Sequence, residues 1–304
     1  MGEHVRGALP RLFARPVRAG RLTLPPPGLV ALAATGAVLL LVVASLRWAG
    51  FQDEHAYWLA AQRLVAGQPL YDPTADPAMP YAYWYPPVLA QVLAPFTLAV
   101  PDLAFSLAWT ALLLGCLWYL ADRRLLVALA MVAFLPVAVE LWFRNVHLLI
   151  AALAVLAIRR TPVAWIAAAA IKVTPVIGVV YLAASRRYRD ALVVGLVGLA
   201  IFGGSVLISP AAWRQFLDVA LARGGSSEAS LVPVPFPARL AVAMALALVG
   251  GLVGGRRGET LLVLGLVIGN PTLYTTSLSL LAALVPVWHR PPAPVPDQPA
   301  FSAP

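Results

Sequence analysis

The chain has one cysteine, Cys116, so it can form no internal disulfide. Charge is scarce too. Asp, Glu, Lys and Arg make up 12% of its 304 residues, against about 25% in an ordinary soluble domain. Its four histidines stand at no metal-ligand spacing with cysteine or acid. No Walker phosphate loop is present, and no Gly-rich turn follows a strand. These absences argue against a disulfide scaffold, a zinc module and a nucleotide-binding α/β enzyme. Neither a metal nor a cofactor is expected.

Apolar residues fill the space instead. They make up 61% of the chain, and mean hydropathy is +0.83. Apolar runs recur from residue 28 onward, which predicts an all-α polytopic membrane protein. The net charge of +9 does not point to nucleic acid. Its arginines cluster beside apolar runs, where they set orientation and touch anionic membrane lipids.

About 8–10 membrane segments are expected. Residues 1–27 carry Arg6, Arg11, Arg15, Arg18 and Arg21 and read as a floppy, cytoplasmic basic leader. A membrane domain over 28–290 follows, and 291–304 reads as a disordered cytoplasmic tail. The first span covers 28–48, which the positive-inside rule makes an outward crossing. It leaves residues 49–87 outside. A second outer loop, 209–237, reads as flexible because of its glycines and prolines. Basic clusters at Arg123-Arg124, Arg159-Arg160, Arg186-Arg187-Arg189, Arg256-Arg257 and His289-Arg290 are expected on the cytoplasmic side. If so, 162–184 and 261–288 each enter and leave on one side. Half-helices of 10–13 residues reach about 15–20 Å, short of a core of about 30 Å, so re-entrant pairs are expected. A single span over 162–184 also fits by length.

Residues 49–87 form the one long polar interruption. Asp53 precedes a helical run ending near Gly67 and suits an N-cap, with Glu54 favouring the first turn. Capping is compatible with a second role as a base. Glu54 is expected beside His55 or Lys172. Tyr81, Tyr83, Trp84 and Tyr85 suit either an interfacial aromatic belt or a wall on which a sugar stacks.

Further polar residues interrupt apolar runs. Lys172 stands in AAAAIKVTPVIGVV. A lysine near the bilayer centre costs about 2.5–3.5 kcal/mol. It either pairs or snorkels, or it holds an anionic head group such as phosphate. Arg144, Asn145 and His147 interrupt ELWFRNVHLLIAAL. They mark a boundary between spans or a phosphate site. Glu140 suits an ion pair with either base.

The ordered set resembles glycosyltransferase family 87. Asp53-x-x-x-Tyr57, Gly67-x-x-x-Tyr71 and Tyr83-x-Tyr85-Pro86-Pro87 come first. Arg144-Asn145-Val146-His147-Leu148-Leu149 is similar to the family's Gly-Gln-x-Asn-Leu-Leu, with Arg144-Asn145 replacing Gly-Gln. Ala170-Ile171-Lys172-Val173-Thr174-Pro175 is similar to its Ala-x-Lys-x-x-Pro. Asn270-Pro271-Thr272-Leu273-Tyr274 is similar to a late Ser-Pro-x-x-Trp/Tyr segment. The usual His-rich stretch there reads Tyr274-Thr275-Thr276.

The resemblance implies a GT-C-like helical bundle in a bacterial plasma membrane, with an extracytoplasmic active site. It implies inverting transfer of mannose or a similar sugar from a polyprenyl-phosphate donor to a lipid or glycan acceptor. Asp53 would be the general base. Lys172, Arg144 and His147 would meet the donor phosphate. Glu54, His55, Tyr57, Tyr83, Tyr85, Asn145, Asn270 and Tyr274 would line the substrate site. The alternative is a transporter or flippase of a lipid-linked sugar, which needs the cations and no base.

Overall fold

The computed structural model describes residues 17–19, 22–24, 28, 35–36, 52–72, 82–223 and 230–289. The first span expected over 28–48 and the tail over 291–304 lie almost wholly outside them. In the leader, Val17–Ala19 and Leu22–Leu24 pair as a small antiparallel ribbon. That part is therefore not shapeless, as its composition suggested. Among the described residues, everything else that is regular is helix.

Helix α1 (Asp53–Val65) begins one residue earlier than capping would have it. Gln52 holds the cap position, and Asp53 is the first helical residue. The expected Asp53 cap bond is not made. The far end follows expectation. Gly67 adopts φ +65°, and the amides of Gly67 and Gln68 bond back to Leu64 and Arg63, a Schellman closure.

Helix α2 (Pro87–Ala99) starts on a proline and is short. Helix α3 (Asp102–Leu120) is long and apolar enough to cross a membrane. Helices α4 (Leu125–Val132) and α5 (Leu135–Phe143) are bent by 84° at the break between them. Pro136 lies in the first turn of α5, where a missing N–H costs nothing.

Helix α6 (His147–Arg159) is the centre of the core. Nine of its thirteen residues are buried, and it packs on α3, on α7 and on the 3-10 segment Thr275–Ala283. Of the two readings of 162–184, a broken pair and a single span, the structure shows the broken one. Helix α7 (Ala164–Ile171) stops at Lys172, whose backbone is extended (φ −139°, ψ 142°). A 3-10 turn, Thr174–Val176, leads into α8 (Ile177–Ala184). A Cβ on Gly178 would lie 2.3 Å from the Trp165 ring. A continuous helix would hold these positions about 20 Å apart, so the chain bends back at Lys172.

Helix α9 (Tyr188–Ile208) and α11 (Phe236–Val253) are the other two membrane-length helices. Between them, the loop expected to be flexible opens as helix α10 (Pro210–Arg223). Proline at a first helical position starts a helix rather than stopping one. Helix α12 (Gly255–Ile268) lies against α11. A Cβ on Gly258 would meet the Gly250 carbonyl at 2.1 Å, so only hydrogen fits there. The Thr275–Ala283 segment and α13 (Leu284–His289) end the described bundle. Among the described residues, three helices can cross a membrane, or four with the bent pair, and shorter apolar helices complete an all-α polytopic membrane protein.

Candidate functional site

Three breaks in helical structure are linked by side-chain bonds, and the first of them also grips α1. They are the α5–α6 turn, the Lys172 break and the turn after α12. Each supplies a polar residue. The α5–α6 turn is tight because Arg144 takes the left-handed conformation (φ +53°). Trp109 Nε1 fixes it by donating to the Arg144 carbonyl at 2.8 Å.

That turn grips the start of α1 at two points. Arg144 Nη1 donates to Glu54 Oε1, and Asn145 Nδ2 donates to Asp53 Oδ2. Arg144 and Glu54 are 1% and 0% exposed. Ser106 Oγ on α3 also donates to Glu54 Oε1, at 2.6 Å. Glu54 thus pairs Arg144, rather than His55 or Lys172. Arg144 Nη1 is engaged in that pair, while its buried Nε has no hydrogen-bond partner. Burial pushes the Glu54 carboxyl up, and Arg144 and Ser106 oppose this.

Asp53 is only half-buried. Burial is still the main cause raising its carboxyl from 3.8 to about 7, with the Glu140 charge adding to it. The Asn145 amide and the Lys172 charge pull the other way. Asp53 therefore sits where a carboxylate can both take and hold a proton near neutrality.

The tyrosines are interior rather than a surface belt. Tyr85 is 8% and Tyr83 3% exposed. Tyr85 Oη lies 3.0 Å from Tyr57 Oη and donates to Asn145 Oδ1 at 3.4 Å. Tyr83 Oη accepts the Ala90 amide at 3.1 Å and donates to the Pro86 carbonyl at 2.9 Å. It anchors the start of α2. Tyr81 lies outside the described residues.

Lys172 reaches the same cluster over the Tyr85 ring. Its Nζ stands 5.7 Å from the Tyr85 ring centroid, within cation–π range. It donates to His147 Nε2 at 2.8 Å and to Asn270 Oδ1 at 3.2 Å. Thr174 Oγ1 donates to the Gly269 carbonyl at 2.7 Å and ties the break to the Asn270 turn. Arg239 holds that turn from behind through the Asn270 and Pro271 carbonyls. A narrow crevice opens beside Lys172 and Asn270, walled by Ile150, Pro175, Leu266 and Leu280.

Two expected residues stand apart from this centre. His55 Nδ1 meets Asp102 Oδ1 at 3.0 Å, and its ring stacks on Trp58. Tyr274 is 39% exposed, and its amide donates to Ser277 Oγ at 3.2 Å. Three contributors escaped sequence reasoning. Ser106 and Ser277 are small hydroxyls inside apolar runs and give no signal. Glu140 was visible only as an ion-pair candidate. Its Oε1 accepts the amides of His147, at 2.5 Å, and Leu148, at 3.2 Å.

Among the described residues, no group of three or more His, Cys, Asp or Glu could hold a metal ion. The groups on hand are a carboxylate, a lysine ammonium and tyrosine hydroxyls.

A sequence model of glycosyltransferase family 87 matches residues 83–299. The polyprenol-phosphate-mannose-dependent alpha-(1-2)-phosphatidylinositol pentamannoside mannosyltransferase of Mycobacterium tuberculosis (strain CDC 1551 / Oshkosh) is 32% identical over 231 residues, covering 64% of this chain and 51% of that protein. The chain thus spans about half the length of this curated relative. No solved structure matches it.

Proposed function

The chain belongs to glycosyltransferase family 87, and from that premise we propose that it transfers a sugar from a polyprenyl-phosphate donor to a lipid or glycan acceptor. Mannose is the sugar we propose, since the similar mycobacterial enzyme is named for a mannose donor. One observation carries the reading. Asp53 and Lys172 both border Tyr85: Asp53 through Asn145, which accepts from the Tyr85 hydroxyl, and Lys172 over the Tyr85 ring. Inverting transfer needs a base on one face of the sugar and a cation on the other.

In the proposed step, the acceptor oxygen attacks the anomeric carbon as its proton passes to the Asp53 carboxylate. The bond from that carbon to the phosphate oxygen breaks, and the electron pair leaves with the polyprenyl phosphate. Lys172 meets the departing charge. Arg144 serves by holding Glu54, and so the start of α1, rather than by touching phosphate. Tyr57, Tyr85 and Asn145 line the sugar's side, and Asn270 orients Lys172.

Lys172→Met tests the donor contact. Losing a charge-assisted hydrogen bond removes about 1.5–3 kcal/mol, so the KM for polyprenyl-phosphate mannose rises about tenfold to a hundredfold. The variant stays folded in detergent. Unchanged donor KM with reduced thermal stability would make Lys172 a structural ion-pair partner.

We place this chemistry outside the cytoplasm. Arg159 near the opposite ends of the helices donates to Asp122 Oδ1 at 3.1 Å and to the Pro286 carbonyl, so the basic ends gather away from Asp53. In a Cys116→Ser background, an impermeant thiol reagent modifies Gln68→Cys on intact cells. It reaches Arg189→Cys only after permeabilisation. The reverse labelling pattern would move the site to the cytoplasmic side.

A further inference from the structure

Three ionisable side chains form a buried row behind the donor side of the site. Glu140 comes from α5, His147 from the first position of α6 and Lys172 from the break after α7. His147 Nδ1 lies 3.0 Å from Glu140 Oε2, and its Nε2 accepts from Lys172 Nζ at 2.8 Å. Glu140 and His147 are fully buried.

The chemistry of each group fixes where the imidazole carries its proton. An ammonium has three donors and no lone pair, so Nε2 must be bare to accept from Lys172. The ring proton then sits on Nδ1. Glu140 is placed to take it. Its Oε1 already accepts two amide hydrogens at the start of α6, which leaves Oε2 for the ring. A helix start favours a carboxylate there. A neutral imidazole held this way cannot itself act as a phosphate-binding cation. It is a spacer that carries the Glu140 charge toward Lys172.

We infer that Glu140 is a positioning residue for sugar transfer: it sets the His147 tautomer, and that tautomer holds Lys172 toward the departing phosphate. The inference rests on the donor reading above. Without the carboxylate, the ring proton moves to Nε2 and points at the ammonium. Lys172 then loses the acceptor at 2.8 Å and keeps only Asn270 at 3.2 Å.

Two measurements on the full chain in detergent test this. The first is heteronuclear NMR of histidine-labelled protein, with the His147 signal assigned by its loss in His147→Asn. The wild type shows a neutral ring protonated at Nδ1, and Glu140→Gln shows Nε2 protonation. An Nε2-protonated wild type, or an unchanged tautomer in Glu140→Gln, would overturn the inference. The second is donor kinetics. Glu140→Gln raises donor KM about tenfold, and the double variant with Lys172→Met is no worse than Lys172→Met alone. Full additivity would overturn it, since Glu140 would then act elsewhere. If Glu140→Gln fails to fold, Glu140→Asp replaces it. That variant keeps the charge and should keep both the Nδ1 proton and a near-normal donor KM; losing the tautomer while keeping the KM sinks the idea. If Lys172→Met alone leaves donor KM unchanged, the donor reading falls, and the NMR result still decides whether Glu140 sets His147.

Discussion

Asp53→Asn abolishes sugar transfer and leaves the fold standing. A positioned general base contributes about a hundredfold to ten-thousandfold, and kcat/KM with purified donor and acceptor falls by that much. The change is isosteric. The Asn145 amide can still donate to the new side-chain carbonyl, so the grip on α1 survives. The wild-type rate carries a matching signature. With the Asp53 carboxyl raised to about 7, kcat/KM drops about tenfold per pH unit below neutrality and levels off above it. Stability moves the opposite way. A carboxyl raised on folding binds its proton more tightly in the folded state. Its contribution is greatest at acid pH and fades as pH climbs from about 4 to about 7. Asp53→Asn never ionises, so its melting temperature relative to wild type rises across that window. Full activity in this variant would remove Asp53 as the base. Movement of lipid-linked sugar across the bilayer that survives it, with no transfer in wild type, would favour the transporter.

Arg144→Met unfolds the protein more readily than any change on the lipid-facing surface. The guanidinium and Glu54 are sealed from solvent, and breaking a buried ion pair from one side costs about 3–5 kcal/mol because the other charge stays behind. Two further variants separate the causes. Adding Glu54→Gln removes the stranded charge and recovers most of the loss. Arg144→Gly is milder than Arg144→Met by about 1 kcal/mol, because φ +53° strains any residue with a Cβ. Thermal unfolding in detergent reads all three. Arg144→Met with wild-type stability would mean the pair is not formed. Activity should fall in step with the pair, since Asp53 and Asn145 flank it.

The parts of this site that were legible in the sequence are those where a lone polar residue interrupts an apolar run. Lys172 stood out that way, and Asp53 by its place in the one long polar interruption of the chain. Partnerships were not legible. Glu54 lies 90 residues from Arg144, and nothing local tells it from a first-turn acid paired with His55. The difference between Asp53 as cap and as first helical residue is one position, below the resolution of capping rules. Helix α10 was hidden by Pro210, which reads as a stop until the helix it begins is seen. Ser106 and Ser277 matter only by where the bundle puts them.

The order of synthesis gives the Lys172 break a further meaning. Its partner Asn270 lies 98 residues later. The ribosome therefore commits the lysine to the bilayer well before that acceptor exists. His147, already made, is the partner at hand during this interval. A chain released before residue 270 would keep its early helices in the membrane while the charge between α7 and α8 lacked its full set of contacts. Insertion and maturation of this protein are then two separate events, and the second waits for α12 and the turn that follows it.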